Sequence, residues 1–155
     1  MTQRIAVAVI AIAASLAARA ATDEPRYIVA NHSAARANLP YSDAVWSGNT
    51  LYVAGHIGTD PKTQKAPQDP ALEVKLVLNA VKATVESAGL TMDDLVSVTV
   101  YCTDLNLYDT FNTVYKSYFH ANYPARAFVG TAQLLRGAHF EVQGIAVTRH
   151  EPSTK

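Results

Sequence analysis

The sharpest polar–apolar alternation in the chain runs from Leu95 to Thr103. Val96, Val98, Val100 and Cys102 point one way and Ser97, Thr99, Tyr101 and Thr103 the other, which predicts a strand over 95–103. A second alternation covers 51–57, with Leu51, Val53 and Ile57 opposite Tyr52, Ala54 and His56. The turn Ser47-Gly48-Asn49 joins it to 44–46, so the two predict a β-hairpin. Helical spacing takes over after Pro70. Val74, Leu78, Val81, Val85 and Ala88 share one face, and Lys75, Asn79, Lys82 and Glu86 the other. Asp69 is the expected N-cap, Pro70 the first helical residue and Gly89 the stop. Phe111, Val114, Tyr115, Tyr118 and Phe119 form a second helical stripe over 110–121, capped by Asp109. An aromatic stripe at that spacing is core rather than a ligand platform.

Strands are predicted again at 126–131 and 139–148, and Tyr27-Ile28-Val29 supplies a short edge strand. The order is β-β-α-β-α-β-β after that edge strand. It predicts an α+β fold, a mixed sheet with two helices packed on one face. The other face carries Tyr52, His56, Thr99 and Tyr101 and needs a partner subunit to cover it.

At 155 residues the chain is one domain with enough length for a core. Its N-terminus has a different pattern. Arg4 precedes a small-apolar run over 5–16, and Ala18-Arg19-Ala20 resembles a cleavage site. Residues 1–20 therefore read as a secretory signal peptide, too short for a comfortable membrane span, with an uncleaved anchor as the alternative. The expected layout is a signal peptide at 1–20, an extension at 21–38, the folded domain at 39–150 and a flexible tail at 151–155. The expected location is periplasmic or secreted.

Formal charge is zero for the full chain and −2 once Arg4 and Arg19 are gone. No basic stripe is present, so nucleic acid is not an expected partner. Cys102 is the only cysteine, which excludes an internal disulfide and suits a buried, inert thiol.

His32, His56, His120, His139 and His150 lack metal-ligand spacing, and no nucleotide-binding glycine pattern occurs. No metal or cofactor is expected. Two charged residues stand out instead. Arg126 follows a helix-ending proline at the start of a strand, where a planar fork of donors suits a carboxylate. The alternative is a rim salt bridge. Glu141 lies in an otherwise apolar strand between Phe140 and Val142. Such a carboxylate is paired across strands, or it faces a cleft where it orients water.

Several segments occur in a telling order: Pro40-Tyr41-Ser42-Asp43-Ala44-Val45, Ala54-Gly55-His56-Ile57, Asp60-Pro61-Lys62-Thr63, Asn112 with Tyr115, Tyr118-Phe119, Pro124-Ala125-Arg126, and Glu141 to Val147. Together, over about 39–148, they resemble the RidA/YjgF family of reactive-intermediate (enamine/imine) deaminases. The resemblance implies a chorismate-mutase-like fold and a homotrimer with clefts between subunits. It also implies cofactor-free hydrolysis of 2-imino acids, such as the imine of 2-aminoacrylate, to 2-keto acids and ammonia. Arg126 matches the arginine that binds the substrate carboxylate, and Glu141 the glutamate that positions water. Tyr41 matches a cleft tyrosine and Asn112 a nearby helix asparagine. The backbone around Phe128 matches the contact to the imine nitrogen, and His56 belongs to the same cleft.

The chain departs from the family pattern at several places. Ala54-Gly55-His56 replaces Ser-Gly-Gln, Phe128 replaces a cysteine, and Glu73 and Leu76 stand where glutamines are frequent. These changes keep a second reading open, a non-catalytic trimer that binds a small carboxylate or a protein partner. A ribonuclease reading is opposed by the charge.

Overall fold

The computed structural model describes residues 24–29 and 39–148. The expected signal peptide, most of the N-terminal extension, the tail, His32 and His150 lie outside the described residues. The described residues form six strands: β1 Arg26–Ile28, β2 Ala44–Ser47, β3 Thr50–Ile57, β4 Leu95–Cys102, β5 Ala125–Gly130 and β6 Phe140–Val147. The helices are α1 Pro70–Ser87 and α2 Tyr108–Tyr115.

The strands make one sheet in the order β1-β2-β3-β6-β4-β5. Only β4 and β5 pair in parallel, and α2 lies in the crossover between them, as a parallel pair requires. The architecture is thus the expected mixed sheet with two helices, and the edge strand at 26–28 pairs with β2.

One face of the sheet is the core. Leu51, Val53, Val98, Val100, Phe140 and Val142 are buried against Val74, Leu78, Val81 and Val85 of α1 and Phe111 and Tyr115 of α2. Asp69 caps α1 by accepting the Ala71 N–H at 2.9 Å, and Gly89 ends it with φ +84°. The second helix is shorter than expected. A 3₁₀ turn at Leu105–Leu107 precedes it and another at Lys116–Tyr118 ends it. Asp104, not Asp109, supplies the cap, accepting the Asn106 N–H at 3.0 Å.

Two face assignments are reversed by bulges. Between Val53 and His56 the register of β3 against β6 slips, so His56 is opposite core-facing Val142 and Ile57 opposite Glu141. His56 therefore turns toward α1, where its Nε2 lies 3.2 Å from Thr84 Oγ1. A second slip between Leu95 and Ser97 puts Leu95 in the core and leaves Val96 45% exposed. An extra residue inverts every position on one side of it.

Candidate active site

Arg126 sits on β5 opposite Val98, and Phe128 opposite Val100. Both side chains therefore project toward α2. Asn112 accepts from Arg126 Nη2 at 2.7 Å. The guanidinium carbon lies 4.6 Å from the Tyr115 ring centre, 5.7 Å from Phe111 and Phe128, and 5.8 Å from Tyr108. Phe128 meets Tyr108 edge-on at 5.0 Å and Phe111 at 5.4 Å. The stripe that reads as core in the sequence is core on one side and the wall of an arginine site on the other. Aromatic faces attract a guanidinium without consuming its N–H donors. Among the described residues no carboxylate forms an ion pair with Arg126. Of its five donors one meets a described acceptor, so it can still grip a carboxylate with two.

Tyr115 is 4% exposed, and its hydroxyl has no hydrogen-bond partner among the described residues. Burial pushes its pKa up to about 12, with the Arg126 charge opposing the shift.

Glu141 belongs to the other side of the sheet. Its neighbours Phe140 and Val142 are buried in the core, and Glu141 is half-buried on the open face. A Cβ at Gly55 would overlap Glu141 Oε1, so the carboxylate lies on the backbone at the β3 bulge. Gly55 is the residue type that allows this approach. Tyr101, cross-strand from Glu141, accepts from Gln143 Nε2 at 3.3 Å. Next to them Tyr52, Ser97, Thr99, Gln143 and Ile145 line a depression of about 230 Å³.

The structure thus brings Arg126, Asn112 and Phe128 together and leaves the other predicted site residues apart from them. Arg126 and Glu141 leave the sheet on opposite faces. Tyr41, exposed, precedes β2, four inter-strand steps from β5, or about 19 Å at the usual strand spacing. His56 is held by α1. His139 is bound near the other end of the same helix, by Glu73.

That second histidine leads to a residue the pattern did not single out for burial. Glu73 is fully buried. Its Oε1 accepts the backbone N–H groups of His139 at 2.6 Å and Phe140 at 2.9 Å, and Oε2 lies 2.7 Å from His139 Nδ1. The helix is pressed onto Gly58 here, where a Cβ would overlap the Glu73 carbonyl. The signal in the sequence was a carboxylate in line with Val77, Val81 and Thr84 on the inner face of α1. Burial raises the pKa of the Cys102 thiol, consistent with an inert core cysteine. Among the described residues no group of three His, Cys, Asp or Glu side chains is placed to hold a metal ion.

A model of the family described as Endoribonuclease L-PSP matches residues 31–148. The 2-iminobutanoate/2-iminopropanoate deaminase of Escherichia coli K12 is 39% identical over 124 residues, covering 78% of this chain and 97% of its own. Two solved structures from E. coli share the fold. The YjgF gene product matches with a TM-score of 0.68 at 36% identity, covering 79% of this chain and 94% of its own. TdcF, solved with bound serine, matches with a TM-score of 0.68 at 38% identity, covering 72% and 90%.

Proposed function

The chain belongs to the RidA/YjgF family, whose model carries the description Endoribonuclease L-PSP, and from that premise we propose that it hydrolyses 2-imino acids to 2-keto acids and ammonia. A deaminase-like role is what the names of its curated relatives support. The observation that carries the finer reading is Arg126, held by one amide and four aromatic rings with donors to spare. The substrate carboxylate docks on those donors. A charge-assisted hydrogen bond contributes about 1.5–3 kcal/mol, and docking fixes C2 of the imine for attack. Water held by Glu141 adds to C2 while a proton passes to nitrogen. The C–N bond then breaks, leaving the ketone and ammonia. The imine is already electrophilic, so orientation of the two reactants does most of what the site must do.

One chain does not carry both groups on one face, so the reading includes a homotrimer. The open face of one copy, with Glu141, then meets the Arg126 side of the next. It also includes export, with residues 1–20 removed as a signal peptide. N-terminal sequencing of the chain from periplasmic and cytoplasmic fractions tests that part.

Imino acids made in place by an amino-acid oxidase, with semicarbazide trapping of the residual imine, test the reaction. The mature chain from residue 21 accelerates ketoacid release. Arg126→Ala cuts the gain roughly 10- to 100-fold, the rate equivalent of about one charge-assisted hydrogen bond. Hydrolysis no faster than in buffer sinks the proposal.

A second reading is favoured by the cleft substitutions. Ala54 brings no hydroxyl, and His56 faces α1 rather than the open face. A trimer that binds a small carboxylate without turnover shows ligand-dependent thermal shifts that survive Glu141→Gln. Nucleolytic activity, which the family description names, finds little support here. The charge is neutral to acidic, and the aromatic rings at Arg126 are packed on one another.

A further inference from the structure

Tyr108 is unusual among the rings around Arg126 because it is held and exposed at once. Its ring meets the Phe128 ring edge-on at 5.0 Å, yet the residue is 44% exposed. Phe128 is itself fixed against Phe111, which is fully buried. Within one copy the surface beside the guanidinium is therefore apolar and held in place before a neighbouring copy adds to it. A preorganised surface of this kind favours a ligand because little ordering remains to be done on binding.

A carboxylate gripped by Arg126 brings its own α-substituent to the same neighbourhood. Two N–H···O bonds of about 2.8 Å leave C2 and its side chain at roughly the radius of the surrounding rings. Among the described residues, Asn112 is the one side chain that hydrogen-bonds the guanidinium, and its oxygen is already committed to it. A charged substituent would lose water against the ring faces that surround the guanidinium. A methyl group would leave the Tyr108 face wet. A flat apolar group would cover it.

We propose that Tyr108 and Phe128 make this site selective for 2-imino acids with large apolar, above all aromatic, side chains. The inference rests on the deaminase reading for the reaction, but the selectivity is a property of the carboxylate site and is measurable without turnover.

Phenylpyruvate and pyruvate, keto acids that differ by the phenyl ring, are the probes. Titration calorimetry on the full chain gives phenylpyruvate at least about tenfold tighter binding, the scale of one good aromatic contact with its buried area. Tyr108→Ala reduces the preference to about threefold or less, and Tyr108→Phe retains it. Arg126→Met removes binding of both acids. Equal affinity for the two acids overturns the proposal, as does a preference that survives Tyr108→Ala or failure of phenylpyruvate to bind. The imine assay is run beside it on phenylalanine- and alanine-derived substrates. Turnover without a binding preference overturns the selectivity alone. A binding preference without turnover overturns the deaminase reading and leaves the selectivity standing.

Discussion

Glu73 and Arg126 are both charged side chains held between the sheet and a helix, and they are satisfied in opposite ways. Glu73 is sealed, with two backbone N–H groups on one oxygen and a histidine nitrogen on the other. Arg126 has one amide and four ring faces. A buried charge whose hydrogen-bonding capacity is filled is a structural joint, because nothing remains for a ligand. One held by π-faces is fixed in place with its directional donors left over. The difference separates a strut from a binding group.

The largest expected effect falls on the strut. Glu73→Ala leaves two backbone donors and His139 without their acceptor and lowers unfolding free energy by about 3–5 kcal/mol. Glu73→Gln keeps an acceptor for the backbone and recovers most of that in urea denaturation. A loss in Glu73→Ala no greater than for a surface glutamate would erase the contrast.

Arg126→Met should do the reverse. The methionine fills part of the aromatic box, so stability changes by no more than about 1 kcal/mol, while carboxylate binding is lost. A variant that unfolds as readily as Glu73→Ala would make Arg126 a strut as well.

Tyr115 sharpens the comparison from beneath the guanidinium. Its pKa is raised from 10.0 to about 12, so the folded state holds the phenolic proton more tightly than the unfolded state does. Its contribution is complete below pH 10 and is lost as pH rises from 10 to 12, about 2–3 kcal/mol in all. Alkaline unfolding followed by circular dichroism should fall in that window, and in Tyr115→Phe it should move to higher pH. Removing the unpartnered hydroxyl also stabilises the neutral-pH fold, by about 1 kcal/mol.

The smallest effect belongs to a half-buried surface carboxylate. Asp93 accepts the backbone N–H of His120 at 3.0 Å, which lowers its pKa from 3.8 despite some desolvation. Its stabilisation is present above that value and fades as pH falls through the lowered pKa. The Tm gap between the wild type and Asp93→Asn should be slight at pH 7 and close in acid. A gap that widened in acid would reverse the assigned sign.

Much of this was legible in local pattern. The spacing of Val74, Leu78, Val81 and Val85 specified α1, and Asp69, Pro70 and Gly89 its ends, because those signals act within a few residues. The alternation of Leu51 and Val53 with Tyr52 specified the core side of β3 up to its bulge. Arg126 was visible as a charge at a strand start, and Asn112 and Phe128 through the family pattern.

The sequence by itself determined the elements, most of their inward faces and the family. Tertiary structure decided what those faces meet. His56 and Val96 lie on the faces opposite to those alternation assigned, because a bulge adds one residue to one strand and is invisible without the partner strand. Glu73 is a joint only because His139 and Phe140, 66 and 67 residues away in sequence, bring their donors to it. Arg126 and Glu141 share a motif order but leave the sheet on opposite sides. Side-chain direction in a strand follows from pairing register, and register is a property of two strands rather than one.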